Sequence, residues 1–192
     1  FNRNKRSIAI DLKQAAGQKI LSQLVEDADV VIHNMRGLSA LALGIAYEQL
    51  RVFKPDLVYC WSPGFASHGP DANSPAYDDI IQARSGMAAL NADADGAPQF
   101  VRSVLCDKVV GLHLAMSVSA ALVHRERTGE GQSIEVPMLE TMAGFILAEH
   151  LAGRTMTPSQ GDIGYQRLMS NHRRPFETAD GYMAIMPYIT KQ

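Results

Sequence analysis

Across residues 7–12 (SIAIDL), Ile8 and Ile10 alternate with small or polar side chains, the two-residue period of a β-strand. The period then changes: Ile20, Leu21, Leu24 and Val25 in AAGQKILSQLVEDA fall at helical spacing and predict an amphipathic helix. DVVIHN (29–34) and DLVYCWSPGF (56–65) are β-branched runs that predict two further strands, with a short helical stretch at Tyr47–Val52 between them. Ser74 and Pro75 form an N-cap and first-turn pair. Asp78 and Asp79 suit the turn that follows, and Ile80, Ile81, Met87 and Leu90 carry a helix onward to NADADGAP. A long apolar helix is expected from Lys108 to about Arg127, closed by Arg125, Arg127 and Gly129. Its Gly111, Ala115 and Ser119 recur every four residues, a small-residue stripe suited to close packing. QSIEVPM returns as a strand and LETMAGFILAEHLAG as a helix.

Strands alternating with helices define an α/β class with a mainly parallel sheet. After Gly153 the texture turns polar and rich in Gly and Pro, as in a linker, and RPFETADGYMAIMPY reads as a hairpin turning at Asp180 and Gly181. The expected organisation is a large domain over 1–153, then a linker and the start of a smaller unit over 154–192.

The chain has 192 residues, 46% of them hydrophobic and 20% charged, which is ordinary globular usage with enough apolar material for a core. A net charge of −2 lacks the basic excess typical of nucleic-acid binding, so neither DNA nor RNA is expected as a partner. No apolar run is expected to reach the roughly 20 residues of a membrane span, and no signal-peptide layout opens the chain, so a cytoplasmic setting is expected. Two distant cysteines, Cys60 and Cys106, fit neither a CxxC pair nor a disulfide framework. Opening on Phe1 and running directly into a basic turn, the chain reads as a fragment.

Candidate chemistry centres on SVLCDKVVGLHL (103–114), where Asp107 opens an otherwise apolar helix. An Asp there is a helix cap or a carboxylate nucleophile, kept ionised by the helix dipole and set beside N–H groups able to stabilise an oxyanion. Position alone does not separate the two. Cys106 competes as a thiol near a helix N-terminus, or is a buried strand-end cysteine. Six histidines include no HxxxH or HExxH spacing, so no metal is expected. The absence of GxGxxG and GxxxxGK[ST] leaves the α/β layout without a nucleotide signature. Arg3, Lys5 and Arg6 could meet a phosphate or form a solvated turn. Tyr77 lies in the first turn of the helix that a long Gly/Pro-bearing loop leads into, and reads as a rim aromatic.

NRNKRSIAIDLK, ADVVIHNMR, KPDLVYCWSPGF, GP, PAYDDIIQARSG, DKVVGLHLAMSVSAAL and RERTGEGQSIEVPMLE, taken in that order, resemble the class III (CaiB/BaiF-type, formyl-CoA transferase-like) CoA-transferases. The resemblance spans nearly the whole chain. It implies a Rossmann-like large domain, a smaller domain and an interlocked homodimer, with coenzyme A or acyl-CoA and a carboxylic acid as substrates and no metal. It also implies that Asp107 is the catalytic aspartate, forming an acyl anhydride and then an aspartyl-CoA thioester. The family's CoA contacts carry over onto Asn4, Lys5 and Arg6 in the basic turn, Asn34 and Met35 after the second strand, and Tyr77. Ala42 stands where many relatives have an Arg. The family's 2-methylacyl-CoA racemases place a His where Tyr77 stands, and a phenol is a poor replacement base near neutral pH. Transferase is therefore favoured over racemase, with a non-catalytic CoA-binding protein as the third reading. By comparison with the family, the first strand and helix and most of the region after the hairpin are expected to be missing.

Overall fold

In the computed structural model, residues 2–185 are described. Contacts divide the chain into two units, 1–145 and 146–192. The first is built on a three-stranded parallel sheet of order β1–β2–β3, with β1 at Val30–His33, β2 at Val58–Trp61 and β3 at Gln132–Glu135. Val30 pairs with Val58 and Val58 with Gln132, and the ladder runs in register to His33, Trp61 and Glu135.

Successive strand residues point to opposite faces, so β2 feeds two separate cores. Tyr59, with Leu57 before it, packs with Val25 of α1 (Ala15–Glu26), Ala40 of α2 (Gly37–Ala42), Ile45 and Leu50 of α3 (Tyr47–Leu50). Cys60 packs instead with Val136 and with Val110 of α6 (Leu105–Thr128). Leu50, Leu57 and Cys60 are fully buried, and each aliphatic side chain so buried contributes about 1.5–3 kcal/mol. Helices on both sides of a parallel sheet are what the alternation of strand and helix signals requires.

Several expectations are corrected. Residues 7–12 form no strand: no ladder partner lies beside them among the described residues, Leu12 is in a turn, and Ile8 is exposed. Their end is held by Gln18, whose Nε2 donates to the Leu12 and Leu43 carbonyls. Ser74 and Pro75 do not start a helix; α4 (Asp78–Arg84) begins with Tyr77 as N-cap. The helix expected to run on to Leu90 is two, because Gly86 takes φ 89° between α4 and α5 (Met87–Leu90), a left-handed conformation that ends one helix and starts the next.

The long helix starts three residues earlier than expected, with Val104 as N-cap, so Asp107 is its third helical residue rather than its cap. Cys106 is buried in that first turn and is not at a strand end. The Gly111, Ala115, Ser119 stripe is exposed, as are Leu112 and Met116, while Cys106, Val109, Val110 and Ala121 face inward. Being apolar on nearly all sides, α6 is also long and apolar enough to cross a membrane by length and composition, contrary to the expectation that no run would be. At its other end Gly129 closes α6 with φ 77° and an N–H donated to the Arg125 carbonyl, as expected.

α7 spans Met138–His150, and the division between units falls within it. In the second unit, β4 (Phe176–Glu177) and β5 (Tyr182–Met183) form an antiparallel hairpin across Asp180 and Gly181. The part of the expected hairpin segment beyond Ile185 lies outside the described residues.

Candidate active site

A helix that connects parallel strands runs back along the sheet, so its N-terminus comes to the carboxyl ends of the strands, where open α/β sheets bind ligands. The first turn of α6 stands at such an edge. Asp107, Val110, Gly111 and Leu114 form one wall of a cleft of about 380 Å³, and Ile32, His33 and Asn34 from the end of β1 contribute to another. Ser62, which follows β2, lies on the floor: its N–H donates to the His33 carbonyl at 2.9 Å and its hydroxyl to the Val136 carbonyl at 3.0 Å. The ends of the three strands are thereby tied together at the cleft that Asp107 lines.

The Asp107 side chain is open to solvent on the cleft side. Its pKa is nevertheless raised above the ordinary carboxylate range, first because the surrounding protein takes water from the carboxylate and second because Asp78 is a nearby negative charge. This opposes the helix dipole, which favours the ionised carboxylate. The amides expected to await an oxyanion are also largely engaged. Leu105 N–H donates to the Ser103 carbonyl, Asp107 N–H to Asp78 Oδ1 at 3.0 Å, and Lys108 N–H to the Val104 carbonyl.

Asp78 is the residue sequence reasoning passed over as ordinary first-turn chemistry. It is buried, and Gln82, completely buried one turn later in α4, donates to its Oδ2 at 2.6 Å. Gln82 also accepts from Val101 N–H at 2.8 Å, so α4 holds the chain leading into α6. The available signal was the four-residue spacing of Asp78 and Gln82, which puts both on one helix face.

Cys106 is no rival nucleophile. Burial, followed by the charges of Asp78 and Asp107, pushes its thiol up to about 12, which leaves it protonated at neutral pH.

Of the other expected site residues, Asn34 shares the cleft with Asp107. Met35 is half-buried next to it, its N–H bound to His33 Nδ1 and its carbonyl to Trp61 Nε1. His33 Nε2 in turn hydrogen-bonds the Tyr59 hydroxyl, which donates to the Ile45 carbonyl. One tautomer satisfies every group: neutral His33 with its proton on Nε2. Burial lowers the His33 pKa and favours that state. Tyr77 is 75% exposed and immediately precedes Asp78. Asn4, Lys5 and Arg6 lie in an exposed turn, with Asn4 at φ 60°, and are not among the residues lining the cleft. No group of three or more His, Cys, Asp or Glu suited to a metal occurs among the described residues.

The first unit is therefore an α/β domain with a basic, cleft-facing carboxylate at the head of a crossover helix. The chain belongs to CoA-transferase family III, which it matches over residues 1–192. It is 37% identical over 189 residues to a succinate–glutarate CoA-transferase of Agrobacterium fabrum, covering 96% of this chain and 46% of that protein. It is 33% identical over 142 residues to a formyl-CoA:oxalate CoA-transferase of Escherichia coli, covering 74% of this chain and 34% of the relative. A crystal structure of a CaiB/BaiF family protein from Brucella suis superposes with a TM-score of 0.81 at 31% identity, over 94% of this chain and 48% of that one. The chain thus spans about half the length of the curated relative from Agrobacterium.

Proposed function

We propose that the intact protein is an acyl-CoA:carboxylate CoA-transferase with Asp107 as its nucleophile. The observation that carries this reading is the Asp107 carboxylate in the cleft at the strand ends, made more basic by its surroundings. A carboxylate oxygen of Asp107 attacks the thioester carbonyl of the donor, the C–S bond breaks, and a mixed anhydride and CoA thiolate result. The thiolate then attacks the Asp107 carbonyl carbon, releasing the donor acid and leaving an aspartyl-CoA thioester. The acceptor carboxylate attacks that thioester, expelling the thiolate and forming a second anhydride. Attack by the thiolate on the acyl carbon releases the new acyl-CoA and restores Asp107. No net proton moves.

Coenzyme A would be held by Asn34 and Met35 at the β1 exit, by Tyr77, and by the basic turn of Asn4, Lys5 and Arg6, whose charges suit the CoA phosphates. The cleft itself has apolar walls from Ile32, Val110 and Leu114 for the acyl or pantetheine chain. The relatives' names mention succinate, glutarate and oxalate, which supports a small dicarboxylate as acceptor. A cytoplasmic homodimer without metal completes the reading.

The test is mass spectrometry of the intact protein incubated with a panel of acyl-CoAs and then hydroxylamine. A hydroxamate or CoA adduct on the peptide bearing Asp107 is expected. A clean peptide with every donor would overturn the transferase mechanism. Solvent deuterium entering the acyl α-carbon would then identify a racemase, and CoA binding without either reaction a binding protein.

A further inference from the structure

Asp78 and Gln82 form a buried pair that the transfer chemistry does not itself require. Asp78 lies on α4, yet its two carboxylate oxygens are divided between α6 and its own helix: Oδ1 accepts from Asp107 N–H at 3.0 Å and Oδ2 from Gln82 Nε2 at 2.6 Å. The second hydrogen of the Gln82 amide faces the Val101 and Ser103 carbonyls at 3.4 and 3.3 Å, and its oxygen accepts from Val101 N–H. The segment that enters α6 is therefore gripped through a side chain that is wholly buried. Such an arrangement is costly to assemble, because a carboxylate is withdrawn from water beside another carboxylate.

We infer that Asp78, fixed by Gln82, is a positioning residue for Asp107: it clamps the nucleophile through its own backbone N–H and sets a negative charge beside its carboxylate. The inference rests on Asp107 being the nucleophile. Two effects follow from one contact. The clamp holds the first turn of α6, and with it the direction in which the Asp107 side chain leaves the backbone. The charge keeps the nucleophile basic, and a more basic carboxylate is a better attacking group. The raised Asp107 pKa agrees with this geometry.

The charged and titratable groups around Asp107 are few. α4 brings Asp78 and Asp79. α6 brings buried Cys106, together with Lys108, whose Nζ is turned to Ser103 Oγ at 2.7 Å. The end of β1 brings neutral His33. Among these, Asp78 is the charge that raises Asp107.

The experiment compares wild type, Asp78→Asn and Gln82→Met in the intact protein. Each is assayed for kcat, KM for acyl-CoA, the pH dependence of kcat/KM, and hydroxylamine trapping at Asp107. Asp78→Asn keeps an oxygen that can accept from Asp107 N–H and removes the charge. Its Nδ2 would face the Gln82 Nε2 donor, so the grip loosens as the charge is lost, and kcat is expected to fall by up to about 100-fold. Its acidic limb should move to lower pH, while KM changes little because Asp78 does not reach the cleft. Gln82→Met keeps the charge and loses the grip, so kcat should fall with the acidic limb unmoved. If Asp107 is trapped in wild type but Asp78→Asn leaves both kcat and the limb unchanged, or lowers only thermal stability, the inference is overturned and the nucleophile stands. If Asp107 is never trapped in wild type, the nucleophile reading and the inference fall together.

Discussion

The indole N–H of Trp61 donates to the Met35 carbonyl across 2.6 Å, so the last residue of the central strand grips the turn that leaves the first. Met35 N–H is held from the other side by His33 Nδ1. The backbone proposed to meet coenzyme A is thereby held in place by the protein itself, which would reduce the ordering cost of binding. Replacing Trp61 with Phe keeps the ring packing and removes the donor. Unfolding free energy in urea should drop by about 1–3 kcal/mol, the cost of leaving a partly buried acceptor unpaired. KM for acyl-CoA should rise while trapping at Asp107 persists. An unchanged KM would separate this turn from CoA binding.

His33 makes stability depend on pH in a definite direction. Burial lowers its folded pKa below 6.5, so between the lowered value and 6.5 the unfolded chain binds a proton that the native protein does not. Its contribution is complete above about pH 6.5 and is lost as pH falls, because protonated Nδ1 can no longer accept from Met35 N–H. Urea titrations at about pH 7.5 and about pH 5.5 should show a larger loss in wild type than in His33→Gln. Equal losses would mean that another group governs the acid side.

Cys106→Ala and Asp107→Asn discriminate the two candidate nucleophiles. The thiol is buried and pushed up to about 12, so its removal should leave most CoA exchange intact and cost about 1 kcal/mol from a small cavity. Asp107→Asn should abolish exchange. Iodoacetamide labelling of the native protein at neutral pH should leave Cys106 unmodified for the same reason.

Gly131 brings β3 onto β2. A Cβ at this position would lie 2.3 Å from the Asp56 carbonyl carbon and 2.4 Å from the Leu57 oxygen, both backbone atoms that cannot swing aside. Gly131→Ala should therefore destabilise by about 3 kcal/mol or more, in the range reserved for severe steric or cavity defects. Thermal unfolding of the variant measures this. A melting temperature within a degree or two of wild type, less than the shift about 1 kcal/mol causes, would refute the close approach.

At the far end of α6, Arg125 joins two loops. Its guanidinium reaches Asp29 at 2.8 Å and Asp56 at 3.9 Å, and it donates to the Asp29 carbonyl at 3.2 Å. These aspartates precede β1 and β2, so the C-terminus of the helix is fastened to the entry ends of both strands. Arg125→Met should cost about 1 kcal/mol, since Asp29 is largely exposed and water screens the pair. High salt should remove most of the difference between variant and wild type.

The amino-acid pattern by itself determined the order of α1, β1, β2, the long helix α6, β3 and α7, the parallel α/β class and the place of Asp107 at the head of a long apolar helix, but it gave no sign of α2. These are local properties: β-branched runs, helical periodicity and a glycine after the last turn are legible over a few residues. It misjudged residues 7–12, because alternation permits a strand whereas a ladder needs a neighbour. It merged α4 with α5, because Gly86 is tolerated in a helical pattern until its φ is known. The site depended most on tertiary structure. Asp78 and Asp107 are 29 positions apart, and only the packing of α4 against the start of α6 brings the carboxylate of one to the amide of the other. Asp107 lies inside its helix rather than capping it, and its N–H is met by a carboxylate from α4. The sheet, by setting where α4 and α6 lie, decided it.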